Sequence, residues 1–110
     1  MITRKSIVPS KYLENSLTTQ YTVSNGTLII ESPTFTNITA SNVTFDVYIV
    51  PSGGSAGDSN RVIKSKSVAP SESYEATALF GKILTSGQFI ATNCSAANAI
   101  VCNIGGSEIT

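Results

Sequence analysis

The chain reads as all-β: an antiparallel β-sandwich or jelly-roll-like domain with at most one short helical turn. Three observations lead there. Between Thr44 and Val50 the residues alternate, Phe45, Val47 and Ile49 on one side and Thr44, Asp46 and Tyr48 on the other. That period of two marks a half-buried strand. Turn chemistry recurs at short intervals, at Ser24-Asn25-Gly26, Thr39–Asn42, the loop PSGGSAGDSN (Pro51–Asn60) and Ala69-Pro70-Ser71. Finally, there is no heptad, no fixed repeat and no sustained helical period. About seven to nine short strands separated by turns describe a sandwich or a small barrel.

Taken in order, Met1–Ser10 is short and basic, with Ile7 and Val8 stopped by Pro9. Residues 1–11 read as an N-terminal arm or an edge strand, because proline suits no central strand; residues 12–110 form the single sandwich domain. A strand over Thr18–Val23 runs into Asn25-Gly26, a pair that favours the positive φ angles of a tight hairpin. Thr27–Ile38 follows as a long strand whose apolar phase slips across Glu31-Ser32-Pro33, the signature of a bulge or an edge. Val43–Val50 and Arg61–Val68 flank the glycine loop as a hairpin, with Lys64 and Lys66 outward or on an edge. Ser73–Ala76 is a short strand. The segment Ala78–Leu84 has the spacing of one helical turn, interrupted by Gly81, so a short helix or an apolar connection is expected. Gly87–Asn93 and Ala97–Ile104 close the domain as two strands with a turn between them, and Gly105-Gly106 is expected to kink the tail.

Charge narrows the function. Seven Lys plus Arg balance seven Asp plus Glu, whereas proteins that hold phosphate backbones carry a basic surplus. No nucleic-acid partner is expected. A near-zero net charge leaves a chain poorly protected against association, which suits a protein that sits in an assembly. No apolar run approaches the roughly 18 residues of a membrane span, and the basic N-terminus is followed by no apolar signal region. No membrane partner is expected, and synthesis in the cytoplasm is.

Chemistry is sparsely written. The chain has no His, which removes the usual general base and the commonest transition-metal ligand. Gly53, Gly54 and Gly57 could form an anion nest, but the lysine and hydroxyl of a phosphate loop are missing and a strand follows where a helix should begin. The carboxylates Glu14, Glu31, Asp46, Asp58, Glu72, Glu75 and Glu108 are scattered, and nothing in the sequence brings two together. Cys94 and Cys102 would face each other if the last hairpin centred on Asn98; buried free thiols are expected instead. Four sequons, beginning at Asn25, Asn37, Asn42 and Asn93, are expected to be chance in a chain rich in Ser, Thr and Asn. No enzyme, no cofactor and no metal site is expected.

The stretches Val50–Asn60 (VPSGGSAGDSN), Ala69–Tyr74, Leu79–Leu84 and Gly106–Thr110, with Tyr12, Tyr21 and the Asn37–Val43 turn, carry a resemblance. The chain resembles a family of small bacteriophage virion structural proteins, and the likeness covers most of its length. It implies a virion component without implying a position on the particle or a site. The concrete expectation is a capsid cement or decoration protein, a homo-oligomer with a trimer as its working form, docked on the major capsid protein or other virion proteins. A neck or tail adaptor and a receptor- or glycan-binding module are the alternatives; the last would use Tyr12, Tyr21, Tyr48 or Tyr74. The arm Met1–Lys11 and the loop Pro51–Asn60 are expected to make the contacts, through Arg4, Lys5, Tyr12, Pro51, Gly53, Gly54, Gly57 and Asp58.

Overall fold

The computed structural model describes the whole chain, Met1–Thr110. Its strands are β1 (Ile2–Tyr12), β2 (Thr18–Thr22), β3 (Thr27–Asn37), β4 (Val43–Val50), β5 (Arg61–Val68), β6 (Ser73–Glu75), β7 (Ile83–Thr85), β8 (Phe89–Cys94) and β9 (Ile100–Ile109), with one 3-10 turn at Asp58–Asn60. They form two antiparallel sheets. The five-stranded sheet runs β1-β9-β3-β6, with β7 also paired to β3, and the four-stranded sheet runs β2-β8-β4-β5. β6 pairs with Thr34–Thr36 and β7 with Thr27–Ile29, so the two short strands share one position beside β3. Counted as one strand, they leave the alternating order of a jelly roll, two Greek keys folded face to face.

Alternation explains which side chains meet between the sheets. Leu28, Ile30 and Phe35 of β3 face Val43, Phe45 and Val47 of β4 across a core of 21 buried residues. Phe35 and Phe45, both fully buried, stack with ring centroids 4.4 Å apart, and Tyr74 tilts against Phe45 at 6.2 Å. Asn37 is also fully buried, and it is satisfied there. Its Nδ2 donates to the Ser41 and Val68 carbonyls (2.7 and 2.9 Å), and its Oδ1 accepts from the Thr39 amide and hydroxyl (2.9 and 2.7 Å). The Asn37 sequon is thus the pin of a turn, closed to any modification that needs access.

Several expectations need correction. Asn25-Gly26 makes no hairpin: β2 belongs to the four-stranded sheet and β3 to the five-stranded one. Of the pair only Gly26 has positive φ (77°), and a Cβ there would strike the Ile109 carbonyl. The glycine serves a close approach under a crossing between sheets. Gly87–Asn93 and Ala97–Ile104 likewise enter different sheets as β8 and β9, so the Asn98 turn (φ 54°) sets Cys94 opposite Phe45 and Cys102 opposite Phe35. Both thiols are free and buried. Burial pushes Cys94 up and Cys102 up to about 12, which makes them inert packing groups.

Gly105-Gly106 does not kink the tail; β9 continues to Ile109. Both flanking strands bulge beside the pair, β1 between Ser6 and Val8 and β3 between Ile30 and Ser32. A Cβ on Gly106 would lie 2.5 Å from the Ile29 carbonyl oxygen and one on Gly105 2.7 Å from the Ser32 hydroxyl. Here glycine lets neighbouring strands close in, as isolated strand glycines do. Of the two expectations for Ala78–Leu84, a short helix or an apolar connection, it is the connection that forms, leading into β7. Leu79 and Phe80 amides bond the Ala76 carbonyl, Gly81 turns at φ 79°, and Ile83–Thr85 goes back into the sheet as β7.

Candidate functional site

The eight residues expected at an interface do not share one surface. Arg4 and Lys5 lie near the start of β1, whose Ile2 pairs with Ile109 and whose Met1 carbonyl accepts from the Thr110 amide at 2.8 Å. β1 is an edge strand along its full length, and Ile7 and Val8 enter the core. Tyr12 ends β1 opposite Val101, at the far end of the sandwich.

Pro51, Gly53, Gly54, Gly57 and Asp58 sit in the loop that joins β4 to β5. Tyr48, Val50 and Ala91 form a second small buried cluster, and Ala56 of the loop packs on it together with Phe89. Asn60 ties the loop down: its Oδ1 accepts from the Gly57 amide at 3.0 Å and its Nδ2 donates to the Ser55 carbonyl at 2.9 Å. Arg61 reaches Asp58 at 2.6 Å and Asp46 at 3.4 Å while lying over the Tyr48 ring at 5.2 Å. The loop is a folded flap on the sheet, which also removes Tyr48 as an exposed platform: it is 7% exposed.

Lys5 has a different role from Arg4. It pairs with Glu108 at 2.7 Å and lies 5.3 Å over the ring of Tyr21, whose hydroxyl donates to Glu108. Tyr21 is on β2, so the triad ties the two sheets together at the end that holds the chain termini. The Lys5 ammonium, then the Tyr21 hydroxyl, hold the Glu108 carboxyl below the ordinary carboxylate value of 4.5. The Glu108 carboxylate in turn raises Lys5 above 10.5, while burial and then Glu108 raise Tyr21 above 10.0. A lowered carboxylate stabilises the fold above its unfolded value, and that contribution fades as pH falls through the folded value. The raised Lys5 and Tyr21 act in the opposite direction, contributing below their ordinary values and losing it only as strongly alkaline pH passes through the raised ones. Glu108→Gln is therefore expected to be less stable than the parent at neutral pH, with the difference closing as the pH falls below 4.5 and the Glu108 carboxylate is protonated. Urea midpoints measured across that range check it; a difference independent of pH would sink the assignment.

A feature that the sequence concealed lies on the other edge of the five-stranded sheet. Between β6 and β7 no strand covers β3, and β3 bulges there around Glu31-Ser32-Pro33. The gap opens as a cleft of about 230 Å³ lined by Glu31, Ser32, Pro33, Thr34, Glu75, Ala76, Thr77 and Phe80. Pro33 has no N–H to offer a neighbour, and its carbonyl accepts from the Ala76 amide at 3.1 Å. Glu31 accepts from the Ser107 hydroxyl at 2.8 Å, and neither Glu31 nor Glu75 has a cation within ion-pair distance. Phe80 stands 67% exposed at the rim. Two carboxylates far apart in sequence thus share one cleft, because Glu75 pairs with Thr34 across the β3–β6 ladder. The phase slip at Pro33 was the only signal of it in the sequence.

What fold and site define is a class: a two-sheet jelly-roll domain with an acidic, aromatic-rimmed cleft on one sheet edge. No family model, no curated protein and no solved structure matches the chain.

Proposed function

We propose that this chain is a bacteriophage virion structural protein, a jelly-roll subunit that closes into a homo-oligomeric ring and cements the capsid surface. One observation carries the assembly part. The four most exposed large apolar side chains are Met1 (85%), Ile2 (69%), Phe80 (67%) and Ile83 (62%). Met1 and Ile2 lie on the β1 edge of the five-stranded sheet, Phe80 and Ile83 on its β7 edge. Apolar groups on opposite edges of one sheet suit a head-to-tail contact, in which one edge of a copy meets the other edge of the next, and such contacts close into rings. Exposed apolar groups of this size mark interaction surfaces when they gather. The virion part rests on the resemblance of Val50–Asn60 and the stretches that follow it, and jelly rolls recur in capsids as an analogy of fold.

Sedimentation equilibrium is expected to find a closed oligomer at micromolar concentration. Ile83→Lys, which replaces an exposed side chain and so costs within about 0.5 kcal/mol of fold stability, is expected to shift it to monomer while melting like the parent at concentrations too low for the parent to assemble. A parent protein that stays monomeric overturns the assembly reading. In purified particles, a copy number comparable to that of the major capsid protein supports the cement reading. A copy number of one ring per particle would move the protein to the neck or tail.

A further inference from the structure

We infer that the cleft at the β6–β7 gap is the socket of that ring, and that it takes the guanidinium of Arg4 from the neighbouring copy. The inference rests on the head-to-tail reading and names the polar lock within it. Three facts lead to it. The cleft holds two carboxylates, Glu31 and Glu75, with no basic residue in its lining and no ion pair to either. Its rim is an exposed phenyl ring, Phe80. Arg4 is exposed on the opposite edge strand of the same sheet, and unlike its neighbour Lys5 it pairs with no carboxylate.

A guanidinium is the group that these three parts fit best. It is planar and always charged, it bonds carboxylates through a fork of N–H donors, and it lies flat on aromatic faces. Lys64, Lys66 and Lys82 are also free of carboxylate partners. Lys64 and Lys66, however, lie on β5 at the edge of the other sheet, where Lys66 covers the Tyr74 ring at 4.7 Å. Lys82 flanks β7 beside the cleft itself. Only Arg4 stands on the edge that a head-to-tail neighbour would present, and it does so beside Ile2. The apolar contact of Met1 and Ile2 with Phe80 and Ile83 would screen the ion pair from water, which strengthens it.

Charge reversal tests it on the full chain. Arg4 and Glu75 are both exposed, and Glu75 makes no side-chain hydrogen bond or ion pair in the monomer, so as monomers, at concentrations too low for assembly, Arg4→Glu and Glu75→Arg should melt with the parent. Each alone is expected to weaken ring association at least about tenfold, as removing one partner of a screened charge pair does. The double variant Arg4→Glu/Glu75→Arg is expected to recover most of the loss, because it rebuilds the pair with its charges exchanged. Single variants that assemble like the parent, or a double variant weaker than either single one, would overturn the socket while leaving the ring in place. A parent that never assembles overturns the ring itself.

Discussion

Phe45→Ala is expected to lower the stability of the domain by about 3–5 kcal/mol, the range for truncating a fully buried phenylalanine. Phe45 sits at the centre of the core, stacked on Phe35 from the facing sheet and touched by Tyr74 from β6. Removing its ring therefore opens a cavity that three strands line and none can fill. Domains of this size are stable by about 5–15 kcal/mol in total, so the variant should sit near the edge of folding, with its melting temperature down by about 15 °C or more. Phe80→Ala is the matched control. It removes the same atoms from a ring that is 67% exposed and should change stability by no more than about 0.5 kcal/mol. Urea denaturation of the two variants side by side checks the assignment; equal losses would contradict the packing described for both.

Deleting Met1–Lys11 is expected to abolish the cooperative fold. As a detachable arm the segment could be removed freely, but as β1 it is one edge of the five-stranded sheet. The deletion takes Ile7 and Val8 out of the core, at about 1.5–3 kcal/mol of lost burial each. It also strips the ladder that runs from Ile2↔Ile109 to Lys11↔Cys102 and leaves the long strand β9 as an exposed, apolar edge. The truncated chain should elute as aggregate and show no sigmoidal thermal transition. A soluble truncated domain with a sharp transition would return the segment to the status of an arm. Removing Met1–Arg4 alone spares Ile7, Val8 and Lys5. That shorter deletion is expected to stay folded and to lose association, which separates the role of β1 in the core from its role at the edge.

The strands themselves were largely legible. Alternation at Phe45, Val47 and Ile49 placed β4, and the lysines at 64 and 66 marked β5 as an edge, where it lies. The phase slip at Glu31-Ser32-Pro33 marked a bulge that the β3–β9 register contains. What could not be read was where each strand goes after its turn. Asn25-Gly26 and the Asn98 turn have the local chemistry of hairpins, yet both carry the chain from one sheet to the other. The φ angles a turn residue can reach are a local matter. The choice between pairing with the previous strand and crossing to the facing sheet is made by burial far away in sequence.

The candidate cleft shows the same division. Glu31 and Glu75 carry no pattern that joins them, and Phe80 looks no different from Phe35 or Phe45 in a list of apolar residues. Sequence alone determined the all-β class, the positions of most strands, the bulge at Pro33 and the balance of charge, because each depends on periods and preferences that act over a few residues. Tertiary structure decided the sheet to which each strand belongs, the inert burial of Cys94 and Cys102, the folding of the glycine loop onto Tyr48 and Val50, and the meeting of two carboxylates beside an exposed ring. Those outcomes depend on which distant segments compete for the same buried surface and the same backbone hydrogen bonds. Only the closed, two-sheet fold resolves that competition.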